Sequence, residues 1–119
     1  MAKILLADDL SFIKMVEREA LEKGGHIVVG EAEDGVEAVE KYKQLKPDVV
    51  LMDITMPRMD GLAAIKAILK IDPQARIIVC SALGQQKLII DAIKSGAKDF
   101  IVKPFDNKRL LLSVQKVLK

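Results

Sequence analysis

Five polar side chains in this sequence stand directly after short apolar runs. Asp8 and Asp9 follow Ile4-Leu5-Leu6-Ala7, Asp53 follows Val49-Val50-Leu51-Met52, Ser81 follows Ile77-Ile78-Val79-Cys80, and Lys103 follows Phe100-Ile101-Val102. Apolar runs without alternation read as strands buried on both faces of a parallel sheet. Ligands of open parallel sheets bind outside the carboxyl ends of the strands, so all five groups fall where such a sheet does its chemistry. Two ionised carboxylates about 4 Å apart repel by about 4 kcal/mol at an effective dielectric near 20, so a cluster of three holds a proton or a cation. A hard divalent ion resolves the conflict, and Mg²⁺ suits carboxylates, a backbone carbonyl, waters and a phosphate oxygen. No His or Cys stands among these residues, which argues against zinc or copper. Lys103 offers a point charge and Ser81 a hydroxyl, and backbone N–H groups after the strand ends complete a cradle for a phosphoryl group. Asp53 is left as the nucleophile, its carboxylate attacking phosphorus to give an acyl phosphate.

The elements that must position these groups alternate along the chain. Strand-like runs cover Lys3 to Ala7, Ile27 to Gly30, Val49 to Met52, Ile77 to Cys80 and Phe100 to Val102, and helical patterns fill the gaps. The first helix is predicted from Ser11 to Lys23 with Phe12, Val16 and Ala20 inward, and Gly24-Gly25 stops it. The second runs from Gly35 to Leu45 with Val36, Val39 and Tyr42 inward, ending before Pro47. A third follows Asp60-Gly61, buries Leu62, Ile65 and Leu69, and stops before Asp72-Pro73. The fourth spans Gln85 to Ser95 with Ile89, Ala92 and Ile93 inward, and the fifth follows Asp106 with Leu110, Val114 and Val117 inward. Asp34, Asp60 and Asp106 read as helix caps rather than ligands.

Strand and helix in alternation, joined by right-handed crossovers, predict an α/β fold: a flavodoxin-like (βα)5 doubly wound parallel five-stranded sheet of order 2-1-3-4-5. In that order the first and third strands are neighbours, so Asp8 and Asp9 come to lie beside Asp53. The fifth strand is two spacings, roughly 10 Å, from the third, a gap that only a long side chain such as Lys103 crosses.

Composition narrows the classes. A chain of 119 residues with 50% hydrophobic content fits one domain spanning 1–119 with a core of its own. Lys+Arg of 19 against Asp+Glu of 17 is too balanced for a nucleic-acid footprint, and no direct nucleic-acid contact is expected. The single cysteine, Cys80, lies in an apolar run and reads as a buried thiol in a reducing compartment. Neither a signal peptide nor a run of membrane-spanning length stands out, so a cytoplasmic protein without membrane insertion is expected. His26 reads as an exposed loop histidine, and Met15, Met52, Met56 and Met59 as packing residues.

Taken together, Asp8-Asp9, Asp53 with Met56-Pro57-Arg58-Met59-Asp60-Gly61, Ser81-Ala82 and Lys103-Pro104-Phe105 resemble the receiver domain of two-component response regulators. The match runs the length of the chain and is most similar to the single-domain chemotaxis regulators. The resemblance implies that Asp53 is the phosphoacceptor and that Asp9, Asp53 and the Thr55 backbone carbonyl bind Mg²⁺, with Asp8 acting through water or as a further ligand. It also implies that Ser81 and Lys103 hold the phosphoryl oxygens, that the Lys103–Pro104 bond is cis, and that Phe100 is an aromatic switch moving with Ser81. The implied function is a phosphorylated signalling switch that assists its own phosphorylation and dephosphorylation and is otherwise not an enzyme. Its implied partners are a histidine kinase and a flagellar motor switch protein or phosphatase, and a monomer is expected. The alternatives are a receiver cut from a DNA-binding regulator, a stand-alone phosphorelay intermediate and, from another class, an Asp-nucleophile phosphatase.

Two surface features refine the expectation. Thr55 and Leu83 stand two residues after Asp53 and Ser81, where family members often carry an amide or acid that places water, so slow self-dephosphorylation is predicted. Leu88-Ile89-Ile90 and Leu110-Leu111-Leu112 hold more apolar residues than one buried stripe needs. The resemblance makes the face of the fourth helix, fifth strand and fifth helix a partner surface, with Leu111 on it.

Overall fold

A computed structural model describes residues 1–119. Its elements are β1 (Lys3–Ala7), α1 (Ser11–Lys23), β2 (Ile27–Ala32), α2 (Gly35–Leu45), β3 (Val49–Asp53), α3 (Gly61–Ile71), β4 (Ile77–Ala82), α4 (Gln86–Ser95), β5 (Asp99–Lys103) and α5 (Asn107–Leu118). The strands form one parallel sheet in the order β2-β1-β3-β4-β5, as the alternation predicts. Four of the strands extend one or two residues beyond their apolar runs, because ladder hydrogen bonding uses the backbone and tolerates a polar side chain at the edge. In the register of the ladder, Asp53 lies across from Cys80, Ser81 from Val102 and Ala82 from Lys103.

Consecutive strand residues feed two separate cores. Leu5, Val50, Met52, Ile77 and Val79 pack with Ala38 and Tyr42 of α2, Ala64, Ile65 and Ile68 of α3, and Ala92 of α4. Ile4, Leu6, Val49, Leu51, Ile78 and Cys80 pack with Ala20 and Leu21 of α1 and Leu110, Val114 and Val117 of α5. This period-two alternation makes each strand apolar throughout while each helix needs only one apolar stripe.

The three predicted caps are all made. Asp34 accepts from the Glu37 N–H at 2.9 Å, Asp60 from the Ala63 N–H at 2.9 Å and Asp106 from the Arg109 N–H at 2.8 Å. Each such cap stabilises its helix by about 1 kcal/mol.

Helix phase departs from expectation in α1. Phe12 and Val16 are exposed, at 67% and 36%, and Met15 is exposed as well, so none of them packs in the core. The sheet-facing stripe instead carries Lys14, Glu17, Ala20 and Leu21. Two of its members are charged, which hides the stripe from a hydrophobic period. In α4, Ile93 is exposed whereas Ile89 and Ala92 are buried. In α2 and α3, Val36, Val39, Leu62 and Leu69 are half-buried at the flank of a stripe centred on smaller residues. His26 is also half-buried, and its Nδ1 accepts from the Ala2 N–H at 3.1 Å, tying the start of β1 to β2. No helix is long and apolar enough to cross a membrane.

Candidate functional site

The sheet order brings Asp8, Asp9 and Asp53 together at the carboxyl ends of β1 and β3, with one carboxylate oxygen from each within 4.8 Å of the other two. Asp8 is buried; its Oδ1 accepts from the Leu10 N–H at 2.9 Å and its Oδ2 from Lys103 Nζ at 2.8 Å. Lys103 Nζ also lies 3.6 Å from Asp53 Oδ1. The lysine crosses the gap as predicted, but its hydrogen-bonded partner stands just past the end of β1, one strand beyond Asp53. Asp9 is exposed.

Burial sets the electrostatics. It pushes the Asp53 carboxyl up to about 6, with Asp8 and Asp9 adding to the rise and Lys103 and the Thr55 N–H opposing it. Burial works against the Lys103 ammonium, yet the hydrogen bond to Asp8 and the charges of Asp53 and Asp8 outweigh it and hold the lysine above its ordinary value. The ammonium thus answers part of the repulsion among the three acids. The donors here are all hard oxygens, which is the set a magnesium ion takes.

Ser81 is fully buried, and its Oγ has no hydrogen-bond partner. Buried hydroxyls are almost always paired, so an orphan beside a charged cluster marks a place that a bound group would complete. The Thr55 N–H reaches Asp53 Oδ1 at 3.4 Å, a long contact, and Thr55 itself is exposed. The Lys103–Pro104 bond is cis, as expected.

The loop after β3 is held tightly. A Cβ on Gly61 would stand 2.2 Å from the Asp53 carbonyl oxygen, and one on Gly35 would stand 2.2 Å from the Met59 carbonyl oxygen. The Gly35 N–H donates to that Met59 oxygen at 2.8 Å, and the Arg58 guanidinium pairs with Asp34 Oδ2 at 2.7 Å. The loop bearing Thr55 is therefore clamped to the start of α2, and the Glu37 N–H, with Arg58 adding to it, holds Asp34 below the usual carboxylate range.

Sequence reasoning passes over two residues here. Glu17 of α1 is 2% exposed, 3.9 Å from Cys80 Sγ, and burial together with Asp8 pushes its carboxyl up to about 8. Its place three and four residues before Ala20 and Leu21 is the available signal. Gln85 folds back over the loop after β4, where only the structure reveals its partners.

The family model described as "Response regulator receiver domain" matches residues 4–115. The chain belongs to the response regulator receiver domain family. This receiver domain is 58% identical to the chemotaxis protein CheY of Thermotoga maritima, over 98% of each chain. It is likewise 58% identical to the chemotaxis protein CheY of Bacillus subtilis, over 98% of this chain and 97% of the relative. Among solved structures it superposes with a TM-score of 0.94 and 39% identity on a chain of the CheX-CheY-BeF3-Mg+2 complex from Borrelia burgdorferi, covering 98% of this chain and 89% of that one. It is thus a receiver domain of the CheY-like chemotaxis response regulators.

In this receiver domain Phe100 is 38% exposed and lines a groove of about 580 Å³ with Ile89, Ile90, Ile93 and Val102. Arg109 of α5 donates to the Phe100 carbonyl at 2.8 Å, joining the groove to α5. Ile90, Ile93 and Leu112 are the exposed apolar residues of α4 and α5. Leu111 is not among them: it is half-buried and packs on Gly24 at the end of α1, because the α5 stripe turns it toward that helix.

Proposed function

We propose that this receiver domain is a Mg²⁺-dependent phosphoacceptor switch in cytoplasmic two-component signalling, in the chemotaxis branch. Asp53 takes a phosphoryl group from a histidine kinase, and the face of α4, β5 and α5 then changes its affinity for partners such as a flagellar motor switch protein or a phosphatase. The observation that carries the reading is the orphaned Ser81 hydroxyl, fully buried beside a carboxylate cluster that already recruits Lys103.

In the step itself, an Asp53 carboxylate oxygen attacks phosphorus as the phosphorus–nitrogen bond to the donor imidazole breaks, and that bond's electron pair leaves on nitrogen. The ionised form attacks, and with its carboxyl near 6 Asp53 is mostly ionised at neutral pH. Lys103 follows the incoming charge from Asp8 toward the phosphoryl oxygens, and the Ser81 hydroxyl donates to one of them, gaining the partner it lacks. Asp9, Asp53 and the Thr55 carbonyl, with Asp8 directly or through water, would hold Mg²⁺, which supplies positive charge against the phosphoryl oxygens. Movement of Ser81 opens the space that the Phe100 ring enters from its exposed position, which reshapes the groove beside α4. A partner that prefers the phosphorylated form stabilises that form in return.

Intact mass after incubation with acetyl phosphate and Mg²⁺ tests the reading. The native chain gains one phosphoryl group and Asp53→Asn gains none; a native chain left unmodified overturns it.

A further inference from the structure

Gln85 sits at the N-cap position of α4 but does not cap it. Its side chain turns back instead: Oε1 accepts from the Ala82 N–H at 2.7 Å and Nε2 donates to Thr55 Oγ1 at 3.1 Å. These two bonds tie the loop after β4 to the loop after β3, and those loops flank Asp53 on neighbouring strands. Ala82 directly follows Ser81, the residue with the orphaned hydroxyl. Its N–H is therefore a backbone donor at the end of the strand beside Asp53, and in the unmodified protein an amide oxygen already fills it. An amide oxygen and a phosphoryl oxygen make the same demand on a backbone N–H, so the two compete.

We propose that Gln85 is a positioning residue that occupies the phosphoryl pocket's Ala82 donor in the unmodified state and is displaced when Asp53 is phosphorylated. The inference rests on Asp53 being the phosphoacceptor. Displacement breaks both bonds together, because the side chain that leaves Ala82 also leaves Thr55. The residue that moves is the one from which α4 starts, so the event at Asp53 is delivered to the beginning of the helix that lines the Phe100 groove. The N-cap side chain makes no hydrogen bond to the first turn of α4, which leaves that turn free to respond.

Rates of phosphoryl uptake from acetyl phosphate with Mg²⁺, followed by intact mass for the native chain, Gln85→Ala and Gln85→Glu, test this. Gln85→Ala frees the donor and takes up phosphoryl roughly fivefold faster, the factor that one net hydrogen bond represents. Gln85→Glu binds the N–H more strongly and adds negative charge, slowing uptake by about tenfold. A merely structural brace would slow uptake in both variants, and slower or unchanged uptake in Gln85→Ala overturns the proposal. A second readout uses ¹⁵N spectra of the native protein: beryllofluoride with Mg²⁺ shifts the Gln85 side-chain amide resonances, and resonances left unmoved overturn it. If the native chain takes up phosphoryl while Gln85→Ala matches it, only the role of Gln85 falls. If the native chain takes up none, both readings fall.

Discussion

Lys103 donates to Asp8 at 2.8 Å, from the last strand of the sheet to the first strand of the chain, passing Asp53 on the way. The lysine thus rests on Asp8 rather than on Asp53, and under the proposed function it must change partner when charge arrives at Asp53. A cation held in the cluster also competes with any metal that enters it.

Lys103→Ala should accordingly bind Mg²⁺ more tightly, by about tenfold, since even a screened charge at this distance is worth more than 1 kcal/mol. The same variant loses phosphoryl uptake by about a hundredfold or more, because the point charge that meets the phosphoryl oxygens is gone. Titration calorimetry with Mg²⁺ and mass-detected uptake separate the two effects.

Glu17 gives a pH dependence of stability. Its carboxyl is raised from 4.5 to about 8, so the folded protein keeps a proton that the unfolded chain releases. Stability contributed by that proton is fully present below pH 4.5 and is lost as pH rises through about 8. Glu17→Gln should flatten this fall in urea midpoints measured with a chelator present. It should also be more stable than the native chain at pH 8, by on the order of a few kcal/mol.

Gly61→Ala should disturb Asp53 from behind. With 2.2 Å available between a Cβ and the Asp53 carbonyl oxygen, β3 or the loop must shift. A loss of about 1–3 kcal/mol in stability is expected together with slowed phosphoryl uptake. Gly25→Ala, where nothing lies within 4 Å but φ is +88°, should lose stability and keep uptake.

Leu83 is 78% exposed just after β4, two residues beyond Ser81, and offers no group that places water. Phosphoryl lifetime should shorten markedly in Leu83→Glu and little in Leu83→Ala, as read by the decay of the phosphorylated mass. Equal lifetimes in both variants would sink the account of slow self-dephosphorylation.

The two neighbouring leucines of α5 should part company. Leu111→Lys buries an ammonium against Gly24 and costs about 2 kcal/mol by urea unfolding, whereas Leu112→Lys stays within about 0.5 kcal/mol. Only Leu112→Lys then tests the partner face cleanly.

What the sequence makes legible follows from which signals are local. Sheet order and the five polar strand ends are readable because each strand is a closed apolar run with its polar residue at the stop, and each cap is a single acid three residues before an N–H. The phase of α1 is not readable, because Lys14 and Glu17 occupy the stripe that faces the sheet while Phe12 and Val16 take the open side. Gln85 is not readable for another reason: its role depends on a side chain folding back across a loop, and no spacing in the chain encodes that direction.

The register that sets Asp53 across from Cys80, Ser81 from Val102 and Ala82 from Lys103 arranges the working groups as a staircase, each one rung higher on the next strand. Substitutions leave the staircase standing, but a change of length does not. Deleting one residue inside β4 would drop Ser81 by a rung and turn its hydroxyl to the opposite face of the sheet. Insertions and deletions in this chain therefore belong to the connections at the far ends of the strands, and the strands that carry Asp53, Ser81 and Lys103 can vary in composition but not in count.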